Sequence, residues 1–465
     1  MVADFIFTMT AEDKPLASTG AGRQAREQDA ERSRTRPVSA STFHLPLSDG
    51  NAPFSAGRPL VSGSCPSFAT VALLTGGSDK PYALGIAAAL TSAGIPVDFI
   101  GSNELDVPEL RQNPRVHFLN LRGDQRTGVK LVQKIRRIIA YYLRLLHYAA
   151  TSKPRIFHIL WNNKFELFDR TLLVLYYKGL GKKVVFTAHN VNAGKRDGVD
   201  SFLNRLTLKI QYRLADHIFV HTRAMADELA ADFKVPHRKI SVIPFGINNT
   251  IPNTALTPLE AKRRLGLSNG AKAALFFGQI APYKGLKYLV DALPELAGRH
   301  PDFSLIIAGR PKIMPGVARG GQDYWEEIQQ TIARTGLGKR IVQRIGFIPD
   351  EETELFFKAA DVLVLPYTDI FQSGVLFLAY NFGLPVIAAD IGAFRDEIIE
   401  GKTGYVFKPK DSSAMAKALE TYFSSDLFKN LETRRREIQV YANERYSWAK
   451  VAAMTARIYS EMFEN

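Results

Sequence analysis

A lysine beside a glycine-permissive turn is the first chemically suggestive feature of this chain. Lys284 closes the segment Phe276-Phe277-Gly278-Gln279-Ile280-Ala281-Pro282-Tyr283-Lys284-Gly285. The segment reads as a buried strand ending at Gly278, a short loop, and a cation at the mouth of the next helix. Such a turn is a place for a phosphate, because backbone N–H groups and an ammonium converge there. A solvated lysine at a helix start is the plain alternative, although the helix dipole makes a cation mildly unfavourable there. About ninety residues later, Gln372-Ser373-Gly374 opens another expected helix, Val375 to Phe382. Its unpaired amides and the Ser373 hydroxyl would form a second oxyanion or phosphate pocket. The competing reading is an ordinary serine N-cap. Two phosphate cradles in one half of a protein point to a bound nucleoside diphosphate.

The first half offers less. Thr75-Gly76-Gly77-Ser78 is a strand-to-helix turn without the G-x-G-x-x-G spacing of dinucleotide binding. Gly76 and Gly77 are read as a wall of the cleft and a contact for a transferring sugar. His189 follows the apolar strand residues Val184-Val185-Phe186, at a carboxyl end where a reactive imidazole belongs. Position alone leaves a hydrogen-bonded strand-end histidine equally open. His158 and His221 read as structural, while Asp197 and Asp200 read as acceptor-side or solvated. There is no D-x-D, H-E-x-x-H or C-x-x-C sequence, so no metal site is expected and the lysine and helix-end cradles must carry the diphosphate.

These residues need rigid elements to hold them. Strand signals lie at 69–74, 97–100, 116–119, 156–160, 184–187, 217–221 and 240–243, then at 273–277, 304–308, 341–345, 362–366, 386–388 and 405–407, mostly alternating with helical stretches. The expected fold is α/β, with two Rossmann-like, doubly wound parallel-sheet domains facing a central cleft. The expected divisions are a disordered tail over 1–65, one Rossmann-like domain over 66–250, a second over 251–445, and a C-terminal helix over 446–465 that packs back toward the first domain. Asn248 to Pro258 is the expected linker.

Composition narrows the partners. The 465 residues are 46% hydrophobic and carry a formal net charge of +14, with a single cysteine, Cys65. Mean hydropathy is −0.09 and the pI is near 9.6. A lone cysteine excludes an internal disulfide, and no apolar run is long enough to span a bilayer. No secretory leader pattern is legible, so the reading is cytoplasmic. The basic balance with no zinc-finger or RNA-binding signature favours phosphorylated substrates and an anionic membrane surface over nucleic acid. Val129 to Ala149 reads as a helix of about 30 Å. It has Leu131, Ile135, Ile138, Tyr142, Leu145 and Ala149 on one face and Lys130, Lys134, Arg137 and Arg144 beside it. That pattern suits a membrane-interface helix, and equally a helix covering a sheet.

Four segments together resemble the large family 4 group of GT-B glycosyltransferases: Thr187-Ala188-His189-Asn190, Val242-Ile243-Pro244-Phe245-Gly246, Phe277-Gly278 through Lys284-Gly285, and Gly383-Leu384-Pro385-Val386-Ile387-Ala388. The resemblance runs from about Ala69 to Phe463. It implies a retaining, metal-independent transferase with no cofactor beyond its nucleotide-diphosphate-sugar donor. The second domain would hold the nucleotide and the first the acceptor. The family's phosphate-binding arginine and lysine fall on Gln279 and Lys284, so one cation is missing. Its two glutamates fall on Ile370 and Leu378, so neither acid is present. The Gln372-Ser373-Gly374 start resembles a subgroup common in bacterial polysaccharide clusters.

The resulting expectation assigns catalysis to His189 and Lys284, and diphosphate binding to Gln279, Lys284, Ser373 and Gly374. Sugar contacts fall to Gly76, Gly77, Asp369 and Gln372, and nucleotide contacts to Gly278, Phe347 and Ile348, largely through the backbone of 346–349. The expected activity is sugar transfer to a glycan or lipid-linked acceptor in bacterial exopolysaccharide or capsule synthesis. A non-catalytic nucleotide-sugar-binding protein and a nucleotide-sugar epimerase are the alternatives.

Overall fold

A computed structural model describes residues 69–76, 79–125, 130–163, 165–196, 200–247, 251–312 and 320–464. The expected tail over 1–65, Gly77, Asp197 and the linker residue Asn248 lie outside the described residues. The first sheet comprises β1 (Val71–Leu74), β2 (Val97–Gly101), β3 (Val116–Asn120), β4 (Ile156–Ile159), β5 (Lys183–Thr187), β6 (His217–Val220) and β7 (Ile240–Val242), in the order β3-β2-β1-β4-β5-β6-β7. The second comprises β8 (Lys272–Phe277), β9 (Phe303–Gly309), β10 (Ile341–Ile345), β11 (Val362–Leu365), β12 (Val386–Ala389) and β13 (Gly404–Phe407), in the order β10-β9-β8-β11-β12-β13. Every strand pair in both sheets is parallel. Strand order reverses direction between β1 and β4 in the first sheet and between β8 and β11 in the second. Such switch points open a crevice at the carboxyl ends of the strands.

Continuous apolar runs make these strands because both faces are covered. β1, β4, β6, β11 and β12 are buried along their whole length. One face of the first sheet packs against α1 (Lys80–Ser92) and, from the far end of the chain, α6 (Trp448–Glu464). The other face packs against α2 (Leu131–Thr151), α3 (Val174–Gly179) and α4 (Phe202–Leu214). Tyr141, Leu145 and Ala149 of α2 are buried in that core. Tyr142, Leu145 and Ala149 of the apolar stripe seen in the sequence therefore face the sheet. Among the described residues no helix is long and apolar enough to cross a membrane.

The chain passes between the lobes twice, and the two crossings are tied together. Ile247 N–H donates to the Tyr446 carbonyl at 3.0 Å, and the Trp448 indole N–H donates to the Ile247 carbonyl at 2.9 Å. Beyond this knot, α6 is anchored to the first sheet by the Tyr459 hydroxyl, 2.6 Å from His158 Nδ1. The lobes face each other across their carboxyl edges. Phe371 of the second lobe packs against the core of the first, and Phe245 stacks on Phe377 at 5.3 Å and 11°.

Candidate active site

The two cradles read from the sequence come from the loops after β8 and β11, the neighbouring strands that flank the second switch point. Pro282–Lys284 forms a single helical turn, and Gly285 then takes a left-handed conformation at φ 67°. A Cβ at Gly285 would overlap the Pro366 carbonyl oxygen, so this glycine lets the lysine loop lie directly on the β11 loop. Lys284 is buried. Its ammonium donates to the Tyr367 hydroxyl at 2.6 Å and lies 3.9 Å from the centre of that ring. The Tyr367 oxygen is in turn 3.3 Å from Ser373 Oγ. Burial holds the Tyr367 phenol well above its ordinary range, so it keeps its proton. With its oxygen receiving the ammonium proton, that phenol is suited to donate to Ser373. The serine hydroxyl proton is then left for a third group.

Ser373 precedes α5 (Gly374–Asn381) but makes no side-chain hydrogen bond to its own helix. It is an N-cap by position and a partner of Tyr367 by contact. A Cβ built at Gly374 would stand 3.5 Å from the Phe245 ring, so this helix start lies against the interlobe hinge.

The surrounding residues sort themselves around this centre. The Gln279 side chain is exposed at the same edge, and Gly278 precedes it at φ 109°. Ile280 bridges to Pro311 on the loop after β9. That pairing brings two cations not singled out in the sequence. Lys312 Nζ lies 5.2 Å from the centre of the Tyr283 ring, which Lys284 Nζ also approaches at 5.6 Å. Arg310 lies over Phe347 at 5.8 Å. Phe347 is 68% exposed, whereas Ile348 packs on the second core. Asp369 is exposed on the β11 loop. Gln372 turns its amide N–H toward Glu397 Oε1 at 3.4 Å, and its own Oε1 has no partner among the described residues. Burial pushes the Glu397 carboxyl up to about 7 against the opposing Arg445 cation, and the Tyr446 hydroxyl donates to its other oxygen. Of the family's two acidic positions, Ile370 packs against the second core and Leu378 is buried within it.

On the first lobe, His189 sits in an aromatic box. Its ring stacks on Trp161 at 4.1 Å and 5°, and meets the edge of Tyr82 at 4.6 Å and Phe245 at 5.9 Å. His189 Nδ1 is 3.0 Å from His221 Nε2, and His221 Nδ1 is 3.3 Å from the Ile243 carbonyl. Burial holds both imidazoles below their ordinary range, His221 at about 4, so both are neutral near pH 7. A carbonyl only accepts, so His221 must carry its proton on Nδ1. His221 Nε2 is then the acceptor, and His189 must donate from Nδ1. His189 Nε2 is left as a bare lone pair, sealed and without a partner among the described residues. His221, read as structural in the sequence, thus sets the tautomer of His189. Gly76 is held beside Trp161, since a Cβ there would overlap the Trp161 backbone oxygen. Phe245 joins the two halves, touching His189 on one side and Phe377 and the α5 start on the other. Among the described residues, no cluster of three or more His, Cys, Asp or Glu side chains is placed to hold a metal ion.

Comparison with known proteins agrees with this architecture. Residues 259–444 match the glycosyl transferases group 1 model and residues 81–250 match the glycosyltransferase family 4 model, together about three quarters of the chain. An uncharacterised glycosyltransferase of Methanocaldococcus jannaschii is 24% identical over 394 residues, covering 82% of this chain and 93% of that protein. A D-inositol 3-phosphate glycosyltransferase of Corynebacterium glutamicum is 25% identical over 406 residues, covering 84% and 93%. Among solved structures, sucrose-phosphate synthase from Thermosynechococcus elongatus superposes with a TM-score of 0.66 at 19% identity, over 85% of this chain and 99% of its own. Anabaena HepE in complex with UDP-glucose superposes with a TM-score of 0.64 at 17% identity, over 84% and 99%. The fold and its crevice define a GT-B protein. The chain is a glycosyltransferase of the family 4 type.

Proposed function

We propose that the chain moves a sugar from a nucleoside-diphosphate donor to a hydroxyl of a glycan or lipid-linked acceptor, with retention at the anomeric carbon. In this reading the bond between C1 and the diphosphate breaks as the bond from C1 to the acceptor oxygen forms. Charge grows on the departing diphosphate, and the acceptor hydroxyl passes its proton to the diphosphate oxygen that leaves C1. The Lys284–Tyr367–Ser373 chain is the observation that carries the reading. It brings an ammonium, a serine hydroxyl and the start of α5 together at the loops after β8 and β11, which suits a leaving diphosphate. Lys312 would add the second cation absent at position 279, delivered from the neighbouring strand. The exposed Phe347 ring, with Arg310 on it, suits stacking against a nucleobase.

His189 faces this centre from the first lobe through Phe245. A neutral imidazole with a bare Nε2 would accept a hydrogen bond from a hydroxyl of the donor sugar or the acceptor once movement of the lobes opens the aromatic box that seals it. Closure of the lobes about the paired crossings would exclude water from the donor. No step requires a metal, since Lys284, Lys312 and the helix start supply positive potential. The structural neighbour bound to UDP-glucose supports a nucleotide-sugar donor of this type. The Ser-Gly helix start supports placing the acceptor in bacterial exopolysaccharide or capsule assembly on the cytoplasmic side. A screen of nucleoside-diphosphate sugars, following diphosphate release and product mass with mixed acceptors, tests the proposal. Donor-dependent release and a product heavier by one sugar are expected. Failure of every donor to bind or turn over would overturn it.

A further inference from the structure

Large hydrophobic side chains left exposed on this protein are not scattered. Among the described residues seventeen are exposed, and eleven of them belong to the segments 131–151, 165–180 and 202–214. These segments are α2, α3 with the turns leading into it, and α4. Their inner sides share one core against one face of the first sheet, so their outer sides form one surface. Contacts within the layer confirm that the elements are neighbours. The Tyr176 hydroxyl of α3 donates to the Leu146 carbonyl of α2, and Arg170 donates to Asn204 of α4. Ile139 and Leu143 project from α2, Leu172 and Leu175 from the middle segment, and Phe202 and Leu206 from α4. Phe202 is 82% exposed and Leu143 is 61% exposed. Single exposed leucines need no explanation, but a clustered patch of this kind marks an interaction surface.

Charge selects the partner. Neither α2 nor α4 contains an acidic residue, yet α2 carries Lys134, Arg136, Arg137 and Arg144 and α4 carries Arg205, Lys209 and Arg213. Arg137 and Arg205 engage Asp124 and Asp200 beside the helices. A second copy of the chain is a poor occupant, because a two-fold interface would set this cationic face against itself. An anionic lipid surface matches both properties, taking apolar side chains into the acyl boundary and cations at the headgroups.

We infer that the outer face of α2, α3 and α4 docks the protein flat onto an anionic membrane. The inference is independent of donor chemistry. Its consequence, that the acceptor is reached at the bilayer surface, rests on the function proposed above. The sheet-facing stripe of α2 plays no part in docking.

The test is co-sedimentation of the full chain with phosphatidylcholine vesicles, alone or mixed with phosphatidylglycerol, at low and high salt. Binding is expected only to the mixed vesicles, weakening as salt rises. The double variant Phe202→Ser, Leu206→Ser should partition at least tenfold less, with its thermal midpoint unchanged. Lys209→Glu, Arg213→Glu should lose the preference for anionic lipid. Donor hydrolysis without vesicles should be the same for all of these proteins, which separates failure of docking from failure of the catalytic reading. Equal binding to both vesicle types, or none, would overturn the inference. So would a concentration-dependent dimer, seen by sedimentation velocity, that the Phe202 and Leu206 changes abolish.

Discussion

Replacing Lys284 with methionine should separate stability from activity. The ammonium is buried, and its contacts include a phenol oxygen at 2.6 Å, the face of that ring at 3.9 Å and the Tyr283 ring at 5.6 Å. Desolvation costs a buried cation several kcal/mol. Against this stand a charge-assisted hydrogen bond of about 1.5–3 kcal/mol and a desolvated cation–π contact of about 2 kcal/mol. These contacts offset much of the desolvation cost, and methionine keeps most of the volume, so Lys284→Met should shift the thermal midpoint by no more than about 3 °C. Catalysis is a different matter. A unit positive charge about 4 Å from a developing negative charge contributes on the order of 4 kcal/mol at an effective dielectric constant of about 20. Loss of that term corresponds to roughly a thousandfold fall in kcat/KM. Differential scanning fluorimetry and initial rates of diphosphate release measure the two quantities. Activity within tenfold of the parent would remove Lys284 from the leaving-group site. A fall in midpoint of 10 °C or more would show that the ammonium holds the fold instead.

Three further outcomes are expected. Gly285→Ala forces a left-handed alanine into the Pro366 carbonyl and should cost about 3 kcal/mol or more in urea unfolding; an unchanged midpoint would show that the two loops are not in contact. His221→Phe removes the acceptor that fixes the His189 proton and should lower kcat about tenfold to a hundredfold with little change in donor KM. His221→Gln should restore part of it, and nitrogen NMR of His189 should report Nδ1 protonation in the parent and the glutamine variant but not in the phenylalanine variant; equal kcat in both variants would contradict the tautomer assignment. Burial depresses His158 to about 3 and His217 and His221 to about 4, each below an unfolded value of 6.5. The unfolded chain binds these protons first, so stability is full above pH 6.5 and falls toward pH 4, by about 2 kcal/mol per histidine at pH 5. Flat urea midpoints between pH 7 and pH 5 would contradict the burial of these rings.

Much of this architecture was legible in the sequence, because local pattern dictates it. Leu73-Leu74, Val184-Val185-Phe186 and Val362-Leu363-Val364-Leu365 have no polar face, and strands of that kind survive only inside a parallel sheet covered on both sides. The glycine and lysine after β8, and the serine and glycine at the start of α5, announced loop-to-helix starts by residue type alone. The apolar stripe of α2 was equally visible, but its partner was not. A period of 3.6 shows that one face is apolar without showing whether sheet or lipid receives it.

Pairings between distant residues were decided by the tertiary structure. Tyr367 has no motif around it, and only the adjacency of β8 and β11 brings it between Lys284 and Ser373. Lys312 joins the site because β9 lies beside β8, and His221 acquires a role because β6 lies beside β5. The exposed layer of Ile139, Leu172 and Phe202 comes from three segments that the sequence keeps far apart. Helix and strand periodicity is a property of neighbouring residues, so the chain alone determines its elements and where phosphate-binding turns begin. Which side chains meet depends on strand order and on the return of α6 to the first sheet, and those follow from burying three cores at once.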